Sequence, residues 1–348
     1  MAVSGDGRTL VVGDSAADKG KGAVRVWYRT FESMKWNLVA TMRARAGEIN
    51  LGEAVAVSSD GYTVAYDVMA AGIISQVRVW DITAVETWYP NEQEFSERVA
   101  SVSNSPKHLV LSGSGDTMAM TMGETNLDGY GPIGGVTVWK RTNNTWARQA
   151  TLRANGVATV ARNVGTSLAI SEDGLTLVAG TVVGVSIWRR SSTGVWNEMR
   201  LLEGSSQGKY VALSGDGRTL AATGGQEGRV WQYTDKSTWV QKGQTFPQPS
   251  KMESFRTLKL SSNGQTLAAG IIRGDNSPDY VRMMRLSGSK WAFNGPNLIA
   301  TTRPLPQHQF GSVMGLSGDG MTLTVGNEFE LNAKGTRSGA VYVFRSSK

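Results

Sequence analysis

The sequence predicts an all-β fold, a seven-bladed β-propeller of four-stranded antiparallel blades. Three observations predict it. A short word recurs seven times along the 348 residues, a short apolar strand of fixed pattern follows each copy, and no stretch carries a strong helical period. The clearest copy is Ser214-Gly215-Asp216-Gly217-Arg218-Thr219-Leu220, nearly repeated from Ser4 to Leu10 and from Ser317 to Leu323. Looser copies start at Ser58, Ser112, Ser171 and Ser261, so successive copies lie 54, 54, 59, 43, 47 and 56 residues apart. A fixed word recurring at such intervals is the signature of a repeat architecture.

Each word reads as the turn of a β-hairpin. Its first residue is always Ser, its fourth Gly and its sixth Thr; its third is Asp except at Ser114 and Asn263. Gly supplies the positive φ of a tight turn. Asp-Gly between alternating apolar residues is the strongest short hairpin signal. Ser and Thr hydroxyls can bond the turn's own backbone. Apolar residues flank the words, as Val55 and Val57 precede the second and Leu10 and Val12 follow the first.

A third strand comes next. It reads Val24-Arg25-Val26-Trp27 in the first unit, then Val77 to Trp80, Val136 to Trp139, Val185 to Trp188 and Val341 to Phe344, with worn copies at 230–233 and 281–284. Period-two alternation of β-branched and aromatic residues is a strand pattern. A fourth strand begins at Trp36, Trp146, Trp196, Trp239 and Trp291, whereas 81–106 in the second unit reads as a long, distorted connection. Nothing supplies the outermost strand of the last unit. Either that blade has three strands or the chain is a trimmed piece of a longer protein. A blade buries its faces only against its neighbours, so 1–348 is expected to close into one domain. The recurring Trp residues read as packing between blades rather than as a ligand box.

Composition sets further bounds. With 40% apolar residues and 42 Gly the chain can bury a large core. No run of 18 apolar residues is present, so no membrane span is expected. No basic-then-apolar leader is visible, so no signal peptide is expected. The chain has no Cys, which excludes disulfides and Cys-ligated zinc. The net charge of +7 is spread along the chain, as on a soluble basic surface.

The pattern resembles the FG-GAP repeats of integrin α-type propellers. Phe310-Gly311-Ser312-Val313 and Leu51-Gly52 stand for the Phe-Gly word. Val12-Gly13-Asp14, Ala179-Gly180-Thr181, Ala269-Gly270-Ile271 and Val325-Gly326-Asn327 stand for Gly-Ala-Pro, and 339–344 follows that family's third strand almost letter for letter. WD40 repeats are a second resemblance, through the Asp-Gly turn, the Val-x-Val-Trp strand and Trp80-Asp81, but their units are shorter. The FG-GAP resemblance implies adhesion-like recognition at a cell surface or outside the cell. It does not carry over that family's calcium sites, because the Ser-x-Asp-Gly word holds too few oxygens to enclose an ion.

Candidate chemistry is sparse. The two histidines, His108 and His308, sit in no nucleophile or metal motif, and the expectation is that the chain is not an enzyme. No cofactor is expected. The weak calcium candidate is Glu124, Asn126 and Asp128, which have the oxygen spacing of a calcium loop with Gly129 next, but Pro132 at the ninth position. Basic residues close the third strands at Arg29, Lys140, Arg141, Arg189, Arg190, Arg285 and Arg345; they are expected to form ion pairs with Asp6, Asp173, Asp216 and Asp319. Aromatic residues are not interleaved with these cations, so nucleic acid is not the expected partner.

The opposite end of each blade carries the words Ala40-Thr41-Met42-Arg43, Ala150-Thr151-Leu152-Arg153 and Ala300-Thr301-Thr302-Arg303, and the long loops 13–22, 121–135 and 326–339 reach this same end. Function on rigid scaffolds usually sits on loops. The leading expectation is a non-enzymatic propeller that docks an acidic protein partner through Arg43, Arg153 and Arg303. A WD40-like scaffold subunit of a large assembly and a carbohydrate-binding or hydrolytic propeller are the alternatives.

Overall fold

The computed structural model describes every residue except 31–34, 71–73, 85–86, 98–107, 123–133, 154–163, 204–207, 225–226, 248–249, 276, 301–308, 329, 332–337 and 347–348. The strands form seven antiparallel sheets, each laid out in chain order. Blade one is Ala2–Val3, Thr9–Asp14, Ala23–Tyr28 and Asn37–Arg43. The first strands of neighbouring blades touch one another, which places them innermost, around a central channel. Blade seven, made of Met314–Leu316, Thr322–Asn327 and Ala340–Arg345, has three strands.

The seven words form seven copies of one turn. In each, the Ser hydroxyl oxygen accepts the backbone N–H of the Thr five residues on, at 2.8–3.0 Å. The Gly N–H returns to the Ser carbonyl, as in Gly217 to Ser214 at 3.0 Å. Gly217 has φ 65°, a region that costs a residue with a Cβ. Asp216 accepts the Ser214 hydroxyl at 2.5 Å and the Arg218 N–H at 2.9 Å, an Asx turn. Where Ser114 replaces the Asp, Asp116 takes the Ser112 hydroxyl instead, at 3.0 Å. The loop is therefore four residues closed by Ser and Thr, not a two-residue Asp-Gly loop.

The turns set the register. Each third-strand aromatic lies opposite an apolar residue of the second strand: Leu10 and Trp27, Val64 and Trp80, Met118 and Trp139, Leu177 and Trp188, Leu323 and Phe344. None of these aromatics is exposed. Trp139 packs against Val77 and Val79 of blade two, and Trp188 against Val136 and Val138 of blade three. The core thus lies between blades. Each such ring buries roughly 150–250 Å², contributing about 4–6 kcal/mol of transfer free energy.

Glycine lets neighbouring blades approach. A Cβ on Gly13 would stand 2.0 Å from the Gly52 carbonyl oxygen, and one on Gly270 would stand 2.2 Å from that of Gly311. Gly52 and Gly311 are the Phe-Gly-like glycines, and each presses on the Gly-Ala-Pro-like glycine of the preceding blade.

Two expectations need correction. The stretch 81–106 is not a distorted connection throughout, because Ile74–Ala84 and Thr87–Glu97 pair as a long hairpin that gives blade two its outer strand. Its alternation was hidden by the charged run from Asn91 to Glu97, which an outermost strand tolerates. The turn aspartates Asp6, Asp173, Asp216 and Asp319 form no salt bridge among the described residues. Their Oδ1 atoms hold their own turns.

Candidate functional site

The molecule offers three surfaces: the turn face, the long-loop face and the channel between them. On the turn face the second residue of every word donates its N–H to the second residue of the next. The chain of bonds runs Gly5, Ser59, Gly113, Glu172, Gly215, Ser262, Gly318 and back to Gly5, at 2.8–3.0 Å throughout. This ring circles the channel mouth. Glu172, the one charged member, lays its carboxylate across the mouth, accepting the hydroxyl of Ser262 from blade six and, at 3.4 Å, that of Ser59 from blade two. Asp6, Asp60, Asp173, Asp216 and Asp319 stand exposed around it.

The basic residues at the ends of the third strands act as struts. Arg29 is buried and donates to the Gly7 carbonyl at 2.9 Å and to Thr322 Oγ1 of blade seven at 3.3 Å, tying the first blade to the last. Burial lowers its pKa, with the nearby Arg345 charge adding to the effect. Arg141 pairs with Asp81 of blade two, and Lys140 with Asp116 at 2.6 Å. Arg189 lies over the Tyr233 ring of blade five, 5.1 Å from its centroid.

On the long-loop face Arg43 and Arg153 occupy matching positions, each directly after the last buried residue of its fourth strand, Met42 and Leu152. Arg43 is exposed and pairs with Asp18, carried by the 13–22 loop. Arg153 is exposed. Arg303 lies outside the described residues, as do His308 and the calcium candidates Glu124, Asn126 and Asp128. Among the described residues no three His, Asp or Glu side chains gather into a metal-binding group.

The channel holds the residue that sequence reasoning missed. Two residues before each Ser of the word, the inner strand carries Ala2, Ala56, Val110, Ala169, Ala212 or Gly315, and in blade six Lys259. All seven pair with equivalent positions of the second strand, Lys259 with Ala268. Lys259 is exposed to solvent on this innermost strand, and desolvation lowers its pKa. Its charge acts on His108 of blade three. Burial, aided by that charge, brings His108 down to about 4. The signal was present in the repeat alignment, as a lone cation at a position otherwise small.

No family model matches this chain, and no curated protein matches it either. Solved structures do match in fold. The β-propeller domain of Cps50 (Swd1) from Myceliophteria thermophila is 15% identical over 99% of this chain and 96% of that one, with a TM-score of 0.65. A chain of the mitotic checkpoint complex is 17% identical over 100% of this chain and 86% of that one, at 0.60. The periplasmic gluconolactonase PpgL of Pseudomonas aeruginosa is 13% identical over 97% and 99%, at 0.58. At these identities the likeness establishes the propeller fold. It also corrects the expectation that the chain is not an enzyme. A gluconolactonase is built on this fold, so a propeller without a recognisable nucleophile motif is compatible with catalysis.

Proposed function

We propose that this chain is a propeller scaffold that docks a protein partner on its long-loop face. The observation that carries the reading is the difference between the two faces. The turn face spends its backbone groups on a closed ring, and its aspartates and strand-end cations hold the fold together. The long-loop face presents Arg43 and Arg153 exposed at repeat-equivalent positions; most of its loops 121–135 and 326–339 lies outside the described residues. Arg keeps its charge at physiological pH and pairs well with carboxylates, so an acidic partner surface fits. Swd1-type and checkpoint-complex propellers of the same fold support a scaffold role. The paired glycines at Gly13 and Gly52 and at Gly270 and Gly311 support kinship with FG-GAP repeats.

The test is affinity capture with the intact propeller, read by mass spectrometry and repeated with two variants. In the first, Arg43, Arg153 and Arg303 are replaced by Ala; in the second, Arg189 and Arg218 on the turn face are replaced. The first variant is expected to fold normally and lose the partner, chiefly through a slower on-rate at low salt. Equal recovery with both variants would refute the rim reading. Loss with the second alone would move docking to the turn face.

A further inference from the structure

We propose that the outer edge of blade seven takes an extended segment of a partner protein as its fourth strand, a segment in which Trp is followed six residues later by Leu or Met. This edge is distinct from the long-loop face, and the docking reading is not needed for it.

The repeat defines both the place and the occupant. Three residues before the third-strand aromatic, or before Met284 in blade six, stand Val24, Val77, Val136, Val185, Gly228, Val281 and, in blade seven, Val341. In the first six blades a large apolar residue of the outer segment pairs opposite: Met42, Phe95, Leu152, Leu202, Phe246 and Leu298. Met42, Leu152, Leu202 and Phe246 each join a buried cluster that reaches the following blade, and Leu298 packs against the cluster containing Phe310 and Met314 of blade seven. In blade seven the sheet ends at Ala340–Arg345, so no strand pairs opposite Val341 among the described residues. The seam beyond it is correspondingly thin. Among the described residues, buried apolar clusters join every pair of neighbouring blades except seven and one. Val343 is 36% exposed, whereas its equivalents Val26, Val79, Val138, Ile187 and Val230 are at most 1% exposed.

The edge is otherwise complete. Ser346 N–H donates to the Met321 carbonyl at 3.0 Å, as Arg141 N–H does to that of Asp116 at 2.7 Å, so the third strand reaches the point where other blades turn into their fourth. Ala340-Val341-Tyr342-Val343-Phe344 carries no charge and no Pro to turn an incoming strand away, and such edges template pairing. Strand addition gains affinity from main-chain hydrogen bonds and specificity from alternate side chains. The filled places supply that specificity. Trp36, Trp146 and Trp196 precede Met42, Leu152 and Leu202 by six residues. Trp146 and Trp196 pair with Arg141 and Arg190, the equivalents of Ser346. An incoming Trp therefore lies opposite Ser346 and its Leu or Met opposite Val341, filling the seam toward blade one. This chain's six outer segments are engaged in their own blades, in a second copy as much as in the first, so the seventh comes from a different protein.

The experiment titrates the full chain with a synthetic peptide of its own residues 143–153, which carries Trp146 and Leu152, and with the same peptide bearing Leu152→Asp. Calorimetry measures affinity, hydrogen exchange locates binding, and sedimentation measures the oligomeric state. The first peptide is expected to bind saturably, to slow exchange of the amides in 340–345 that point away from Thr322–Asn327, and to raise the melting temperature. The Asp peptide is expected to bind roughly tenfold or more weakly, because a buried Leu is lost and a carboxylate would enter an apolar seam. No saturable binding, equal affinity of the two peptides, or protection confined to other strands would overturn the proposal. So would outward amides of 340–345 that are already protected without peptide, whether in a monomer, where the chain covers its own edge, or in a dimer, where a second copy does.

Discussion

At the scale of single residues, the turn word works because each member has one local task. Ser214 caps the Thr219 N–H, Asp216 caps the Arg218 N–H, and Gly217 takes the φ of 65° that lets both happen. Gly217 also faces blade four, where an added Cβ would meet Thr176 Oγ1 at 2.9 Å and the Ser171 Cβ at 3.0 Å. Gly217→Val is therefore expected to lose about 1–3 kcal/mol through backbone strain, with crowding against blade four added to it. Urea denaturation checks this, and an unchanged midpoint would disprove the turn's role. His108 gives a pH prediction. Folding brings its pKa from 6.5 down to about 4, so in that window the unfolded chain binds a proton that the folded chain refuses. Stability accordingly falls as pH drops through the window, by at most about 3 kcal/mol. His108→Gln should flatten the difference between urea midpoints taken at neutral pH and at about pH 4.5. A wild-type curve as flat as the variant's would show that His108 titrates normally.

At the scale of the blade, one buried ion pair distinguishes blade two. Arg78, on its third strand, is 1% exposed and pairs with Glu48, 8% exposed, on the short strand Glu48–Ile49 that enters the blade. Glu48 also accepts the Arg45 N–H at 2.6 Å, so one carboxylate fixes both the entering loop and the strand beneath it. Removing one partner of such a pair leaves a charge desolvated, and Glu48→Ala is expected to cost about 3–5 kcal/mol. Replacing both, as Arg78→Met with Glu48→Leu, should cost clearly less. A double-mutant cycle measures the difference, and additive losses would show that the pair is not coupled. The same blade shows what an outer strand does to a sequence pattern. Thr87–Glu97 pairs along most of its length, although its polar sequence reads as a loop.

At the scale of the whole molecule, closure is the organising contact. The last blade bonds the first through Gly318 N–H to the Gly5 carbonyl at 2.8 Å, and Arg29 reaches Thr322 across the same seam. Each hydrophobic cluster is shared by two blades, as Val11, Val24 and Met42 of blade one join Val55, Val64 and Tyr66 of blade two. Blades two to six cannot open without exposing apolar surface on both sides, and the seam between blades seven and one is held by these hydrogen bonds. Thermal unfolding is therefore expected as a single transition, with Trp fluorescence and far-UV circular dichroism melting together. Separate midpoints for the two probes would show that blades unravel one by one, as open repeat arrays can.

By itself, the sequence determined what acts over a few residues. The seven turns, their Ser-to-Thr bonds and the aromatic register follow from side chains at most about six positions apart, and period-two alternation carries them outward. It supplied three strands for blade seven, which is what the structure describes there. The tertiary structure alone decided what depends on closing the ring. Glu172 of blade four meets Ser262 and Ser59 only because seven blades bring their turns to one axis. Lys259 reads locally as an ordinary polar residue on a strand, and comes to lie on the innermost strand of its blade only once the ring closes. Arg29 reads as a surface cation and becomes a buried strut between the first and last blades. The physical reason is common to all three. Burial and long-range pairing are set by the angle and spacing between blades, and those are sums over the whole chain rather than properties of any one word.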